Sequence, residues 1–327
     1  MMRKVKNMAW LVTGGAGYIG AHVVRAFHDA GIDTVVYDDL STGLRQFVPD
    51  GTAFVEGSIL DEDLLAKVFE TYEITGVMSI AGYKYAGESV KRPLHTYNQN
   101  VTGLVSLLSA MHDAGVHNYV FSSSASVYGT PQVDIVTEDC PLSPESPYGQ
   151  TKFIGEWLAA DMKAIDPQWR YTNLRYFNVV GSAGTDVYDR SPHNLFPIVF
   201  DRLLAGKTPQ INGNDYPTPD GTCVRDYIHV ADLAVSHVAA AQALESGKDL
   251  LPAYNLGSGE GSSVAEIMHE IATVTGIEFD PIIAPRRPGD PARIVADGHA
   301  AARDINWKMR HSLADMVRSA WEARQAQ

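Results

Sequence analysis

The chain has little cysteine. Its 327 residues include two, Cys140 and Cys223, too few for a disulfide framework and without metal-ligand spacing, so no metal is expected and a reducing compartment, the cytoplasm, fits best. A long apolar run is also missing. No stretch approaches the ~18 residues of a membrane span, and the basic start from Met1 to Asn7 precedes an apolar segment too short for a secretory signal. Positive charge is in deficit as well. With 26 Lys and Arg against 39 Asp and Glu, the formal net charge is -13, which argues against a nucleic-acid surface and against an anionic membrane. Any anionic ligand must then be met by basic groups placed locally. There is no repeat and no low-complexity tract.

What is present is the composition of a globular enzyme, 45% apolar and 20% charged, in a chain long enough to bury a large core as one extended unit or two lobes. Near the start, Ala9-Trp10-Leu11-Val12 reads as a buried strand that feeds Thr13-Gly14-Gly15-Ala16-Gly17-Tyr18-Ile19-Gly20. Apolar spacing then turns helical through Val23, Val24, Phe27 and Ala30. Glycines at 14, 17 and 20 let the backbone turn tightly, approach a pyrophosphate and pack helix on strand, with the phosphates at the helix N-terminus. An acid about 20 residues on should close the second strand and bind a ribose hydroxyl. Thr34-Val35-Val36-Tyr37 is that strand, and Asp38-Asp39 closes it. A carboxylate there with no adjacent arginine favours NAD over NADP.

Strands recur at Ala53-Val55, Val77-Ile80, Tyr119-Ser122 and Tyr171-Leu174, separated by helical patterns at Asp61-Tyr72, Pro93-Ala114 and Tyr148-Ile165. This alternation predicts an α/β fold with a parallel, doubly wound sheet. Ala81-Gly82 would let a cofactor come close to a strand end. The apolar stripe of Tyr97, Val101, Leu104, Leu108 and Met111 suits either core or a second copy of the chain. After Tyr176-Phe177-Asn178 the alternation breaks down, proline and glycine become frequent, and a smaller C-terminal substrate lobe begins. The chain is expected to return to the main sheet near Val224-Val230, with a helix at Ala231-Leu244 and a strand at Ala253-Leu256. The resulting domains are 1-176 plus about 226-256 for the dinucleotide, and about 177-225 plus 257-327 for the substrate.

Two reactive clusters sit close together in the sequence. Tyr119-Val120-Phe121 runs into Ser122-Ser123-Ser124, and Tyr148-Gly149-Gln150-Thr151-Lys152 opens a helix. A hydroxyl at a strand end, with a tyrosine and a lysine four apart on one helix face, can converge on one substrate hydroxyl. A phenol with pKa near ~10 is a poor base at neutral pH, and a lysine cation plus a positive cofactor ring would lower that pKa. A Tyr-x-x-x-Lys by itself is equally an ordinary helix pair. Only a cofactor site elsewhere in the chain overturns that reading. Arg286-Arg287 form a basic loop that suits either a diphosphate or solvent.

Together these residues resemble the extended short-chain dehydrogenase/reductase superfamily and, within it, the UDP-glucose (UDP-galactose) 4-epimerase family, from Leu11 to about Trp321. The motifs are TGGAGYIG at Thr13, AGYKYAGESV at Ala81, FSSSASVYG at Phe121, SPYGQTK at Ser146, LRYFN at Leu174, NDYPTPDGTCVRDYIHV at Asn214, YNLGSG at Tyr254 and APRRPGD at Ala284. The resemblance implies a Rossmann fold, with Tyr148 as base, Lys152 binding the nicotinamide ribose and tuning Tyr148, and Ser124 bonding the sugar hydroxyl. Gly14, Gly17, Tyr18, Ile19, Gly20, Asp38, Asp39, Leu40, Ser41, Thr42, Gly43, Ser58, Ile59, Ile80, Ala81, Gly82, Lys84, Gln99 and Phe177 would line NAD. Lys84, Ser126, Asn178, Asn194, Leu195, Arg225, Arg287, Asp290 and Ile294 would hold the nucleotide-sugar. A homodimer is implied as partner state.

By the same resemblance, Tyr148 takes the proton of the 4-hydroxyl while a hydride passes from carbon 4 to NAD. The 4-keto sugar turns over and takes the hydride back on its other face. Departures from the pattern are Ser58 for an aspartate, Ser79-Ile80 for His-Phe, Gln99 for an asparagine, Asn212 for an aromatic, and a short loop from Gly184 to His193. Sister 4,6-dehydratases carry an Asp-Glu pair where this chain has Ala125-Ser126, and decarboxylases a glutamate in the same loop. A non-catalytic NAD-sensing regulator would usually have lost Tyr148 or Lys152.

Overall fold

A computed structural model describes residues 8–287 and 290–327. The basic start Met1 to Asn7, and Pro288 and Gly289 of the APRRPGD motif, lie outside the described residues. The chain divides into two compact units. One takes residues up to Val127, Pro144–Arg175 and Ala234–Tyr254; the other takes Tyr128–Ser143, Tyr176–Leu233 and residues from Asn255 on.

The first unit is built on a seven-stranded sheet. Strand β1 (Met8–Thr13) is buried from its second residue on and lies between β2 (Asp33–Asp38) and β4 (Glu73–Ser79). The order across the sheet is Ala253–Leu256, Arg170–Tyr176, β5 (Asn118–Ser122), β4, β1, β2, β3 (Ala53–Glu56). The pairs from Arg170–Tyr176 through β3 are all parallel. Strand order reverses between β1 and β4, and in open α/β sheets ligands bind at the C-terminal strand ends at such a reversal. Each crossover helix forms for local reasons. In helix α2 (Glu62–Thr71), Asp61 caps the start by accepting from Leu64 N at 3.0 Å, and Glu62 and Asp63 favour the positive end of the helix dipole.

The segment predicted as one helix over Pro93-Ala114 is helical throughout but changes pitch. A π turn at Asn98–Thr102 joins Pro93–Tyr97 to Gly103–Asp113. Of the apolar stripe, Leu104, Leu108 and Met111 are core, packed with Leu11, Val77, Tyr119 and Phe121. Fully burying such a side chain contributes about 1.5–3 kcal/mol, and truncating Leu107 to alanine would cost about 2–5 kcal/mol.

The second unit holds small sheets. Val224–Arg225 lies between Ser262–Ser263 and Arg293–Ala296, whose far edge pairs with Ile135–Val136. Tyr227–His229 pairs with Asn178–Val180. The expected return to the main sheet near Val224-Val230 is therefore corrected. These short segments find their backbone partners in strands of their own unit, and only Ala253–Leu256 joins the main sheet. A second core packs Phe196, Phe200, Ile267, Ile271, Met316, Val317 and Trp321. Capping boxes at Ser263/Glu266 and Ser312/Asp315 start two of its helices, each satisfying two orphan amides reciprocally.

Candidate active site

Helix α1 (Tyr18–Asp29) begins straight after the glycine turn, with Gly17 at its cap and no acidic side chain in its first turn. Its N-terminal amides and dipole thus face an unopposed position for an anion. Gly14 has φ 73°, and a Cβ there would stand 2.7 Å from Ala81 N; a Cβ on Gly20 would overlap the Gly14 carbonyl oxygen. Side chains at these positions would fill the cradle. Gly43 closes it from the other side, where a Cβ would lie 2.9 Å from the Ala16 carbonyl and from Asp38 Oδ1.

Asp38 is buried, and its carboxylate accepts from Ala16 N at 2.9 Å and Leu40 N at 2.8 Å. Burial raises its pKa, the two amides oppose that rise without cancelling it, and the Asp39 charge adds to it. Each oxygen keeps acceptor capacity for a ribose hydroxyl. Leu40 has φ 57°, and Asp39 accepts from the Ser41 amide at 2.9 Å and the Ser41 hydroxyl at 2.5 Å. Ser41 and Thr42 are exposed, and Ile59 is buried in the core. The Ser58 carbonyl accepts from Tyr37 Oη at 2.7 Å. Glycine cradle, free helix end and second-strand carboxylate together fit a dinucleotide.

The three serines after β5 diverge. Ser122 Oγ lies 2.9 Å from His237 Nε2, Ser123 Oγ donates to Glu156 Oε1 at 2.5 Å, and Ser124 bonds the Tyr148 side chain. Tyr148 and Lys152 stand on the helix Pro147–Ile165, which starts cleanly because Pro147 sits at its first position and Ser146 Oγ accepts from Gly149 N at 3.1 Å. The Tyr148 amide donates to Ser89 Oγ at 3.1 Å. Lys152 Nζ donates to the Ser122 carbonyl at 2.7 Å and lies 5.8 Å from the Tyr148 ring centroid.

Two opposed influences act on the Tyr148 phenol from the protein alone. Burial pushes the phenol up, and the Ser124 hydrogen bond opposes it. Burial likewise pushes the Lys152 ammonium down to about 8, with the Glu156 charge opposing. Desolvation penalises the charged form of each group. A positive charge brought next to the phenol is what would move it toward working pH.

The Ile80 and Ala81 amides both bond the Thr13 carbonyl, at 3.2 and 3.0 Å. Beyond Gly82 the loop is held by Asn100, which sequence reading passed over. Its Oδ1 accepts from Tyr83 N at 2.6 Å, and its Nδ2 lies 3.0 Å from the Tyr83 carbonyl and 2.9 Å from Thr151 Oγ1. Asn100 falls in the π turn, beside the half-buried Gln99. Lys84 is exposed, over the Tyr85 ring at 5.8 Å. Ser126 is half-buried, and its amide bonds Ser124 Oγ at 3.2 Å.

In the second unit, Asp226 is a buried hub that sequence reading also missed. Its carboxylate accepts from Ser258 N at 2.6 Å, Gly259 N at 3.2 Å and Ala296 N at 2.9 Å, and its carbonyl accepts from Asn178 Nδ2 at 2.8 Å. Buried Phe177 precedes the exposed Asn178. Arg225 Nη2 meets Asp290 Oδ1 at 3.3 Å, and Arg225 is the direct strand neighbour of Ile294. Asn194, at the start of Leu195–Leu204, donates to Asp189 Oδ2 at 2.6 Å. The two loop arginines part company. Arg286 pairs with Asp215 at 2.6 Å and covers the Tyr216 ring at 4.1 Å, whereas Arg287 Nε and Nη2 reach the Asn212 side-chain amide at 2.9 and 3.2 Å, which assigns its oxygen to the arginine side.

Comparison with known proteins gives the chain a family. Residues 10–257 match the NAD dependent epimerase/dehydratase family. A UDP-glucose 4-epimerase of Dictyostelium discoideum is 43% identical over 326 residues, covering 95% of this chain and 94% of that protein. The crystal structure of UDP-glucose 4-epimerase from Brucella ovis in complex with NAD superposes at a TM-score of 0.91 with 39% identity, covering 96% of this chain and 98% of that one. That of the Bifidobacterium longum enzyme in complex with NAD+ and UDP gives 0.89 with 35% identity, covering 98% of both chains. The chain belongs to the NAD dependent epimerase/dehydratase family.

Proposed function

We propose that this chain is a UDP-glucose 4-epimerase that interconverts UDP-galactose and UDP-glucose. The observation that carries the reading is Tyr148 with Lys152 one helical turn away, the lysine held on the Ser122 carbonyl at 2.7 Å and 5.8 Å from the phenol ring centroid, in the unit that also holds the glycine cradle and Asp38. Gly14 to Gly20, Asp38 to Gly43, Ser58, Ile59, Ile80 to Lys84, Gln99 and Phe177 hold NAD. When bound, NAD supplies a hydride acceptor for carbon 4 of the sugar and gives the hydride back.

The chain's own residues do the rest. Tyr148 withdraws the proton of the 4-hydroxyl as the carbon–oxygen bond becomes a carbonyl, and returns it when the carbonyl is reduced. Ser124 holds the reacting oxygen in line. Lys152 keeps a positive charge one turn below the phenol, offsetting the burial that otherwise disfavours phenolate. Ser126, Asn178, Asn194, Leu195, Arg225, Arg287 and Asp290 grip the nucleotide-sugar, and Ile294 bounds the space for the sugar's 2-substituent. Most residues assigned to the dinucleotide lie in the first unit, and most of those assigned to the nucleotide lie in the second. Elimination to a 4-keto-6-deoxy sugar is disfavoured, because Ala125 and Ser126 offer no acid.

The chain works as a cytoplasmic homodimer. In support, Leu94 is 83% exposed, Trp157 56% and Val105 44% on the helical segment 93–113 and on Pro147–Ile165, and large exposed apolar side chains gathered on neighbouring helices fit a partner. Among the described residues, no helix is long and apolar enough to cross a membrane. The test is to denature the purified protein, identify the nucleotide released, and assay UDP-galactose, UDP-N-acetylgalactosamine and thymidine analogues side by side. Released NAD with UDP-galactose turnover supports the reading; turnover of a thymidine sugar alone replaces it.

A further inference from the structure

Glu156 lies one turn beyond Lys152 on the helix Pro147–Ile165, and Glu156, Lys152 and Arg175 are each 6% exposed. A carboxylate so buried must be paired. Arg175, on the strand Arg170–Tyr176, pairs it bidentately, Nε to Oε1 at 2.9 Å and Nη2 to Oε2 at 2.7 Å. That fork already answers the charge. Oε1 nevertheless accepts a further bond, from Ser123 Oγ at 2.5 Å.

Ser123 is the residue between the two functional ends of the serine turn. On one side the Ser122 carbonyl takes the Lys152 ammonium, and on the other Ser124 meets Tyr148. The Ser123 amide bonds the Phe121 carbonyl at 3.0 Å, so the chain leaves β5 in a tight turn in which Glu156 anchors the Ser123 side chain. Charge-assisted bidentate pairs are the stiff ones. A carboxylate held by such a fork is a fixed point for a hydroxyl.

We propose that Glu156, clamped by Arg175, is a positioning residue for the epimerisation proposed above, acting through Ser123 to hold the 122–124 turn so that Ser124 meets Tyr148 and the Ser122 carbonyl meets Lys152. The inference rests on that reading of the function. Its carboxylate also favours the charged form of Lys152 against burial. Misplacement of a catalytic contact by about 1 Å costs up to ~10²-fold in rate. The titratable groups around the turn are Tyr148, Lys152 and Glu156 on the helix, Tyr171 and Arg175 on the strand, and His237, which meets Ser122 Oγ.

The test compares the full-length wild type with Ser123→Ala, which removes only the hydroxyl, and with Glu156→Gln, which keeps an oxygen but discharges the clamp. For Ser123→Ala the inference expects kcat to fall roughly 10- to 10²-fold with KM little changed. The rising limb of the pH–kcat profile should move to higher pH, because a loosened Ser124 bond no longer lowers the Tyr148 pKa. Glu156→Gln should move both readouts in the same direction and carries the test if Ser123→Ala does not fold. Wild-type kcat and an unmoved limb in a folded variant, whatever its melting temperature, would overturn the inference and reduce the cluster to core. A wild type that interconverts no nucleotide-sugar overturns the proposed function instead, and this inference with it.

Discussion

Lys152 Nζ donates to the Ser122 carbonyl oxygen at 2.7 Å, so the lysine is anchored to the strand end and reaches Tyr148 through the field, 5.8 Å from its ring centroid. Burial holds its pKa at about 8, against 10.5 for the unperturbed group. Below about 8 both folded and unfolded chains carry the proton, and the folded state bears the full cost of burying the charge. Between those values the unfolded chain binds more protons, so stability attributable to this group rises with pH. Denaturant unfolding of wild type and Lys152→Met at about pH 7 and about pH 10 should show the difference moving in favour of wild type at the higher pH. A difference independent of pH would contradict the assigned burial.

Gly20→Ala should be among the most damaging single-methyl changes in the chain. Its Cβ would overlap the Gly14 carbonyl oxygen, and a rigid turn has no flexible end to yield. Overpacking of this kind costs about 1–3 kcal/mol or more, and the turn it displaces is the one proposed to cradle the cofactor. Melting temperature and NAD content per chain are the readouts. A variant that retains both would show that the turn relaxes.

The glycine cradle and Asp38 were legible in the sequence because they are local: a strand, a turn and a helix with spacing fixed by the backbone, then an acid at the next strand end. The serine turn was legible as a group, and resemblance singled out Ser124. What separates the three serines is their partners, His237, Glu156 and Tyr148, which lie far along the chain and come together only when the sheet is assembled. Asn100 was hidden for a related reason. It looks like one more polar residue in a helix, and only the π turn at Asn98–Thr102 and the loop it holds give it work. Val224-Val230 misled because its apolar pattern resembles a main-sheet strand, while pairing partners, not pattern, decide which sheet a short strand joins.

Cofactor choice should follow Asp38. Its carboxylate already takes two backbone amides, so it is fixed in place as an acceptor, and a 2'-phosphate, itself rich in acceptors, would find no donor there. NAD should be released from the denatured protein and NADP should not. Equal reactivation of stripped protein by both would contradict this assignment.

Substrate breadth should follow Ile294, the register neighbour of Arg225. Paired residues of adjacent strands point to the same face, so Ile294 sits beside the arginine proposed to grip the nucleotide. Isoleucine is stiff and of middle size, and apolar pockets discriminate by only about 1–3 kcal/mol per methylene-sized change. UDP-N-acetylgalactosamine should therefore turn over, more slowly than UDP-galactose. Ile294→Tyr should abolish the slower activity and Ile294→Gly should raise it. An unchanged ratio in both variants would place the limit elsewhere, most plainly in the loop before Asn194.

The central claim is that carbon 4 of the sugar loses and regains the same hydride while Tyr148 handles the proton. UDP-galactose carrying deuterium at carbon 4, incubated with the protein in ordinary water, tests it directly. The account predicts UDP-glucose that keeps its deuterium at carbon 4, with turnover falling about 10²–10⁴-fold in Tyr148→Phe, as loss of a general base does. UDP-glucose that has exchanged the label for solvent hydrogen, or a Tyr148→Phe variant within a few-fold of wild type, would contradict it.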